Sequence, residues 1–328
     1  MKGESMLFSV GYSVKPKDST LIDLIIENKE KISEVYFTLG IQPSGRNVSM
    51  VTDHLKPLAA SFRQTEDLMR LGNAGVALNL LFNANCYGAE AQSKALFKRI
   101  GDDIDYVKSN FSLRSVTTTS PLIAKFIKEH YGDIDVRASV NIGIGSICAA
   151  DALSEVFDSF YVRRELNRDF NALREFRAWC DQNGKQMYLL ANSGCLNNCP
   201  AAIFHNNLIA HHAEIASAES EYRFTQLCTD YLRKEGKKQA IFTDTNFIRP
   251  EDVHLYEGLV PAMKLATRVN PYYEQIIRAY ITDGYYHGDF TALLEPPHNA
   301  ALSPFVFEND RVNSRVENGK LIYSQTES

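Results

Sequence analysis

The sequence predicts an α/β fold arranged as a (β/α)8 TIM-like barrel, and three observations predict it. First, strand-like apolar runs at residues 6–11, 34–39, 76–83, 114–119, 136–140, 159–162, 186–191 and 263–266 alternate with amphipathic stretches, as in a chain of βα units. Second, most of these runs are rich in Val, Ile, Leu, Phe or Tyr, as parallel strands covered on both faces are. Third, the unusual polar residues fall just after the runs. They are the turns 40–46 and 83–86, Thr117 to Thr119, Asn141, the segment 192–195, and Thr267 with Arg268. In a barrel these positions converge on the C-terminal rim, where active sites of this fold are built. An open doubly wound sheet is the main competitor, because several connecting helices are short.

The connecting elements follow from local chemistry. Ser120 and Pro121 open a helix over 121–130, since a serine caps free amides and proline suits the first helical position. A second helix over 171–183 stops at Gly184. A third, over 222–234, carries Cys228. After Leu293 the chain turns proline-rich, with Pro296, Pro297 and Pro304. The expected organisation is therefore a barrel domain at 1–293 and a C-terminal extension at 294–328, packing on the barrel or trailing from it.

Composition narrows the function. The 328 residues carry 35 Lys+Arg against 40 Asp+Glu, a formal net charge of −5, with 45% hydrophobic residues. Such values are those of a globular chain and exclude disorder or collagen-like repeats as the main state. A slightly acidic chain has no global attraction for phosphate backbones. The short basic stretch 234–238 contains an acid and reads as a solvated helix end. No apolar stretch approaches the length of a membrane span, and polar residues interrupt the N-terminal segment at once. The expectation is a cytoplasmic protein with no membrane partner.

Six cysteines stand at 86, 148, 180, 195, 199 and 228. In a long chain of this kind, clustered cysteines point to metal or redox chemistry before disulfides. The informative stretch is 187–200, where an apolar strand runs into Gly194 and then Cys195 and Cys199 four positions apart, with Asn198 and Pro200 beside the second. A loop of this make can aim both sulfurs at one centre, and Cys228 adds a third. Soft thiolates suit zinc or an iron–sulfur cluster. Zinc needs a fourth ligand such as His205. A four-iron cluster needs four thiolates, or three with one iron open to substrate. Cys86, just past the third run, shares the rim with Cys195 and is preferred as the fourth. Cys148 lies among small apolar residues and reads as a buried structural cysteine, and Cys180 belongs to a helix directed at the opposite end.

Other side chains complete the candidate set. His205 either serves the centre or its substrate, or is a satisfied structural histidine. His211 and His212 read as surface residues. Arg249, Lys264 and Arg268 each offer a structural ion pair or an anion site, and Asn192 lies on the same rim. Glu251 and Asp252 read as helix-capping acids. The sequence has no Gly-x-Ser-x-Gly elbow, His-Glu-x-x-His motif or Walker loop, and Gly143 with Gly145 reads as a strand-end turn.

The segment 191–200, followed by Phe204 and His205, Cys228, the stretch 247–252 and Tyr256, resembles the collagenase-like peptidase family U32. The resemblance spans roughly residues 6–270, with its specific part at 187–268. It implies an α/β barrel with a 4Fe-4S cluster held by Cys195, Cys199, Cys228 and Cys86. It further implies oxygen-independent hydroxylation, or a related redox modification, of a small or RNA-derived substrate. Asn192, His205, Arg249, Lys264 and Arg268 would then orient the substrate, and an electron donor protein would be a partner. Two alternatives stand beside it. One is a peptidase or zinc-dependent hydrolase, which needs a nucleophile beside a general base. The other is a non-catalytic cluster-binding subunit paired with a homologous chain.

Overall fold

A computed structural model describes residues 5–16, 19–40, 42–46, 57–219, 221–222 and 224–325. Ile41 of the 40–46 turn and Arg223 of the helix expected at 222–234 lie outside the described residues. Each of the eight apolar runs coincides with a strand: β1 Leu7–Gly11, β2 Ile32–Phe37, β3 Leu78–Phe82, β4 Leu113–Thr118, β5 Asp135–Ala138, β6 Ser159–Tyr161, β7 Gln186–Leu190 and β8 Ala262–Leu265. All are parallel, and the pairing of β1 with β8, Leu7 opposite Ala262 and Val10 opposite Leu265, closes the barrel. That closure removes the open-sheet alternative.

Helices α1 Leu21–Glu27, α2 Pro57–Asn73, α3 Lys94–Asn110, α4 Pro121–His130, α5 Ile147–Asp151 and α6 Phe170–Gln182 lie between successive strands. The crossover from β7 to β8 carries α7 Ala202–Ala210, α8 His212–Ser217 and α9 Leu227–Arg233. The cap read at Ser120 is formed, its Oγ accepting from the Ile123 amide at 3.3 Å. Ile123, Ala124 and Ile127 of α4 face the core, each isoleucine worth about 1.5–3 kcal/mol when fully buried. Helix α6 ends before Gly184, whose φ of +63° is the left-handed conformation that glycine adopts without strain. The third helix begins later than expected, at Leu227.

The barrel lumen is polar at its centre. Glu34, on β2, accepts from Ser9, Asn79, Ser115 and Arg137 on four other strands. Arg137 Nη1 lies 2.7 Å from Glu34 and its Nε 2.7 Å from Asp135. The apolar core occupies the space between strands and helices instead, with Val10, Val35, Leu80, Val116 and Val136 fully buried.

Beyond β8 the chain returns across the barrel and ends in an antiparallel hairpin, β9 Val312–Glu317 and β10 Lys320–Gln325. The hairpin docks against the start of α6, where the Phe170 amide donates to Gly319 O at 2.8 Å and the Leu321 amide to Arg168 O at 2.9 Å. Tyr323 is buried between the Phe247 ring, 5.1 Å away, and the Arg168 guanidinium, 4.2 Å away. Arg249 belongs to this joint. Its Nε donates to Asn309 Oδ1 at 2.9 Å and its Nη1 to Val312 O at 2.7 Å, with Glu251 3.3 Å away. The substrate role expected of Arg249 gives way to a structural one, because its guanidinium is consumed in fastening the C-terminal segment. Among the described residues, no helix is long and apolar enough to cross a membrane.

Candidate active site at the barrel mouth

The cysteine loop is shaped by its backbone before its sulfurs matter. Past the end of β7, the Glu295 amide donates to Asn192 O and the Gly194 amide to Glu295 O, both at 2.8 Å. The tail segment around Glu295 thus runs alongside the strand end as a short added strand. Gly194 is required there, since a Cβ would stand 2.7 Å from Pro296 O and 3.0 Å from His298 Nε2. His298 is buried, and its Nε2 donates to Gly194 O at 2.8 Å while Nδ1 faces Thr229 Oγ1 at 3.4 Å. One histidine therefore joins the residue before Cys195 to the residue after Cys228.

The turn from Cys195 to Cys199 is clamped from outside. Leu196 pairs with Thr245, and the Asn197 amide donates to Asp244 O at 2.7 Å. Asn198 has φ +50°, a conformation asparagine tolerates better than most residues, and its amide donates to Glu165 Oε1 at 2.8 Å. The first turns of α9 then bring up Cys228.

Cys195, Cys199 and Cys228 line one cavity of about 400 Å³, together with His205, Glu165 and Glu295. Burial pushes the Cys228 thiol up to about 11, and the neighbouring Cys195 and Cys199 thiols add to the rise. Among the described residues, no three His, Cys, Asp or Glu side chains converge tightly enough to hold a single metal ion. His205 is half-buried on the cavity wall with its ring 5.2 Å from that of Phe224. Burial, with Arg46, holds its imidazole below the usual range and favours the neutral ring.

Beside the cavity lies a smaller recess of about 40 Å³ in the barrel mouth, lined by Tyr36, Asn141, Lys264 and Arg268 among others. Arg46, Arg164, Val269 and Glu295 border both spaces. Lys264 projects from β8 with Nζ 3.8 Å from the Tyr36 ring centroid, and burial, then Arg268, holds its ammonium well below the usual lysine range. Arg268 donates to Ser44 Oγ at 3.3 Å, and Arg164 to Asn141 Oδ1 at 2.9 Å. Glu295 Oε1 lies 3.4 Å from Arg46 Nε, and burial raises its carboxyl against the opposing pull of Arg46 and Arg268.

The expected set therefore divides. Cys195, Cys199, Cys228, His205, Lys264 and Arg268 border one or other of these two adjoining spaces. Asn192 does not: its amide is held between Ala266, above β8, and Leu293 O, which joins the strand ends to the tail. Cys86 is not part of the cavity wall. Its Sγ accepts from the Gly88 amide at 3.3 Å and bonds to His211, whose Nδ1 lies 3.1 Å from Glu214 Oε2. That imidazole holds the Cys86 thiol below the usual range. Cys148, expected to be buried, is exposed, because α5 turns its small apolar surroundings toward solvent. Cys180 is buried in α6 as expected. Arg46, Arg164, Glu295 and His298 are the site residues that sequence reasoning missed.

No protein-family model matches the sequence. The chain is 25% identical over 262 residues to the uncharacterized protease MJ1657 of Methanocaldococcus jannaschii, a match covering 75% of this chain and 73% of that protein. Its fold is similar to that of the U32 peptidase Mk0906, with a TM-score of 0.57 and 13% identity over 80% of this chain and 93% of that one. That likeness shows a shared fold, and the fold is the one the cysteine segment implied. The likeness extends over most of both chains and shows the (β/α)8 barrel fold.

Proposed function

We propose that this protein is an iron–sulfur enzyme that carries out redox modification, in the sense of oxygen-independent hydroxylation, on a small anionic or RNA-derived substrate. The observation that carries the reading is that Cys195, Cys199 and Cys228 line one cavity, which shares Arg46, Arg164 and Glu295 with a neighbouring cationic recess. The donor set is all sulfur, which suits iron–sulfur ligation. Three thiolates would hold such a cluster and leave one iron toward the substrate; bound there, it supplies one-electron transfer beside the substrate.

The chain's own residues account for the rest. Lys264 and Arg268 hold the anionic end of the substrate, and neutral His205 presents a hydrogen-bonding ring in the cysteine cavity. The clamps at Glu165, Asp244 and His298 fix where the thiols stand. With water as the oxygen source, hydroxylation turns R–H and H2O into R–OH, two protons and two electrons, so a redox partner protein would carry the electrons away from the cluster. The test is iron and sulfide quantitation after anaerobic reconstitution, with absorbance at about 400 nm. Wild type is expected to be brown, with iron lost in Cys195→Ala, Cys199→Ala and Cys228→Ala and kept in Cys148→Ala. A colourless protein that retains stoichiometric zinc under the same conditions would overturn it.

A hydrolytic reading has one observation in its favour. The thiol of Cys86, the imidazole of His211 and the carboxylate of Glu214 stand in the order of nucleophile, base and orienting acid, and the names of both relatives point to proteolysis. Peptide hydrolysis lost in Cys86→Ala and kept in Cys195→Ala would establish it. Absence of hydrolysis in wild type, or equal activity in both variants, would remove it.

A further inference from the structure

We infer that the narrow recess in the barrel mouth seats a compact oxyanion, the carboxylate or phosphate head group of a substrate whose body fills the wider cavity against the cysteines. The charge balance is the first argument. Arg46, Arg164, Lys264 and Arg268 border the recess against one carboxylate, Glu295. Among the described residues, only Arg46 of these four forms an ion pair, and it does so with Glu295. Buried positive charge without a partner is costly, which for Lys264 shows as an ammonium held below the usual range, and an incoming anion relieves that cost.

The second argument is hydrogen bonding. Arg164 Nε and Glu295 Oε2 are both buried and have no partner among the described residues. Native proteins satisfy nearly all such atoms, so an unmet donor and an unmet acceptor at one opening mark the polar outline of a ligand. Arg164 Nε supplies a donor for the anion. Glu295 Oε2, at the junction of the two spaces, supplies an acceptor for an N–H or O–H one position further along the molecule.

Size sets the orientation. The recess, at about 40 Å³, is much the smaller of the two spaces and suits the compact charged end of a substrate. The 400 Å³ cavity beyond it takes the body. Gly45 keeps the recess wall close, since a Cβ there would stand 2.8 Å from Asn83 O. The direction of the body toward the sulfurs rests on the proposed cluster function; the anion seat does not.

Calorimetric titration of the anaerobically purified protein tests this with three probes of one body: benzoate, phenyl phosphate and benzyl alcohol. One of the anions is expected to bind with a dissociation constant below about 1 mM, and its identity separates a carboxylate from a phosphate head group. Benzyl alcohol is expected to bind at least tenfold more weakly. Arg164→Gln and Lys264→Met should each weaken the anion about tenfold, while Glu295→Gln should tighten it by removing the one carboxylate among the described lining residues. Loss of structure cannot imitate opposite signs, and a melting curve on each variant identifies one that fails to fold. Equal binding of all three probes, no binding of either anion, or weakening by Glu295→Gln as large as by Arg164→Gln would overturn the inference. Iron measured on the same samples keeps the two proposals apart. Intact anion selectivity without iron sinks the cluster, and full iron without selectivity sinks the anion seat.

Discussion

Replacing Glu34 by alanine should cost this protein about 4 kcal/mol, a large part of the 5–15 kcal/mol that holds a domain together. Glu34 is 1% exposed and accepts from Arg137 Nη1 at 2.7 Å, Ser115 Oγ at 2.9 Å, Ser9 Oγ at 3.0 Å and Asn79 Nδ2 at 3.2 Å. Removing one member of a buried ion pair costs about 3–5 kcal/mol, because the partner stays buried and uncompensated. Two features pull the figure toward the middle of that range. Arg137 keeps Asp135 at 2.7 Å and lies over the Tyr188 ring at 4.4 Å, which softens the loss. Ser9, Asn79 and Ser115 lose an acceptor, which deepens it by a fraction of the 1–3 kcal/mol due to each unmet group. Glu34→Gln keeps the shape and one acceptor oxygen, and should fall about halfway. Equilibrium urea unfolding followed by circular dichroism reads both variants. A loss below about 1 kcal/mol for Glu34→Ala would show that the lumen network contributes little, and would refute the account of the barrel centre given above.

Three further outcomes follow from single contacts. Gly194→Ala should destabilise the protein by about 1–3 kcal/mol and lower cluster iron, because the new methyl meets Pro296 O and His298; melting and iron content measured together check it, and unchanged values in both would refute it. Arg249→Met should loosen the C-terminal hairpin by removing its bonds to Asn309 and Val312, seen as faster proteolysis within β9 and β10 with anion binding at the barrel mouth unchanged. Asp103 is a pH effect: burial raises its carboxyl to about 6. The folded state therefore binds this proton more tightly than the unfolded one, and its contribution falls as pH rises from the ordinary carboxylate range to about 6. Asp103→Asn should gain on wild type across that window, and melting temperatures at about pH 4 and about pH 7 that differ equally in both proteins would refute it.

The barrel was legible because its signal is repeated and local. Apolar runs separated by helix-forming stretches recur along the chain, and each strand needs only its own residues to be seen. The rim was legible for the same reason. Cys195, Lys264 and Arg268 stand at or just past strand ends, where this fold directs side chains to one mouth. The same rule applied after β6 would have found Arg164, which follows that strand by three positions. The polar lumen also left a trace, since Ser9, Asn79, Ser115 and Arg137 interrupt otherwise apolar strands. Their meaning depends on registry between strands far apart in the chain, which a local pattern does not carry.

Glu295 and His298 mark where such reading ends and why. Nothing in a proline-rich tail signals that its backbone joins the end of β7, yet that pairing sets Glu295 between the recess and the thiols and brings His298 against Gly194. The extension is thus a wall of the site, and a boundary placed at residue 293 cuts through it. Arg249 errs in the opposite direction: an arginine after an apolar run looks like a rim residue, but it lies within the β7–β8 crossover and points to the hairpin. Charge at a strand end therefore identifies a ligand site only when the structure leaves that charge unpaired. By that criterion Arg249, with its hydrogen bonds to Asn309 and Val312, is structural, while Lys264 and Arg164, which form no ion pair among the described residues, are the cations left over for the anion proposed above.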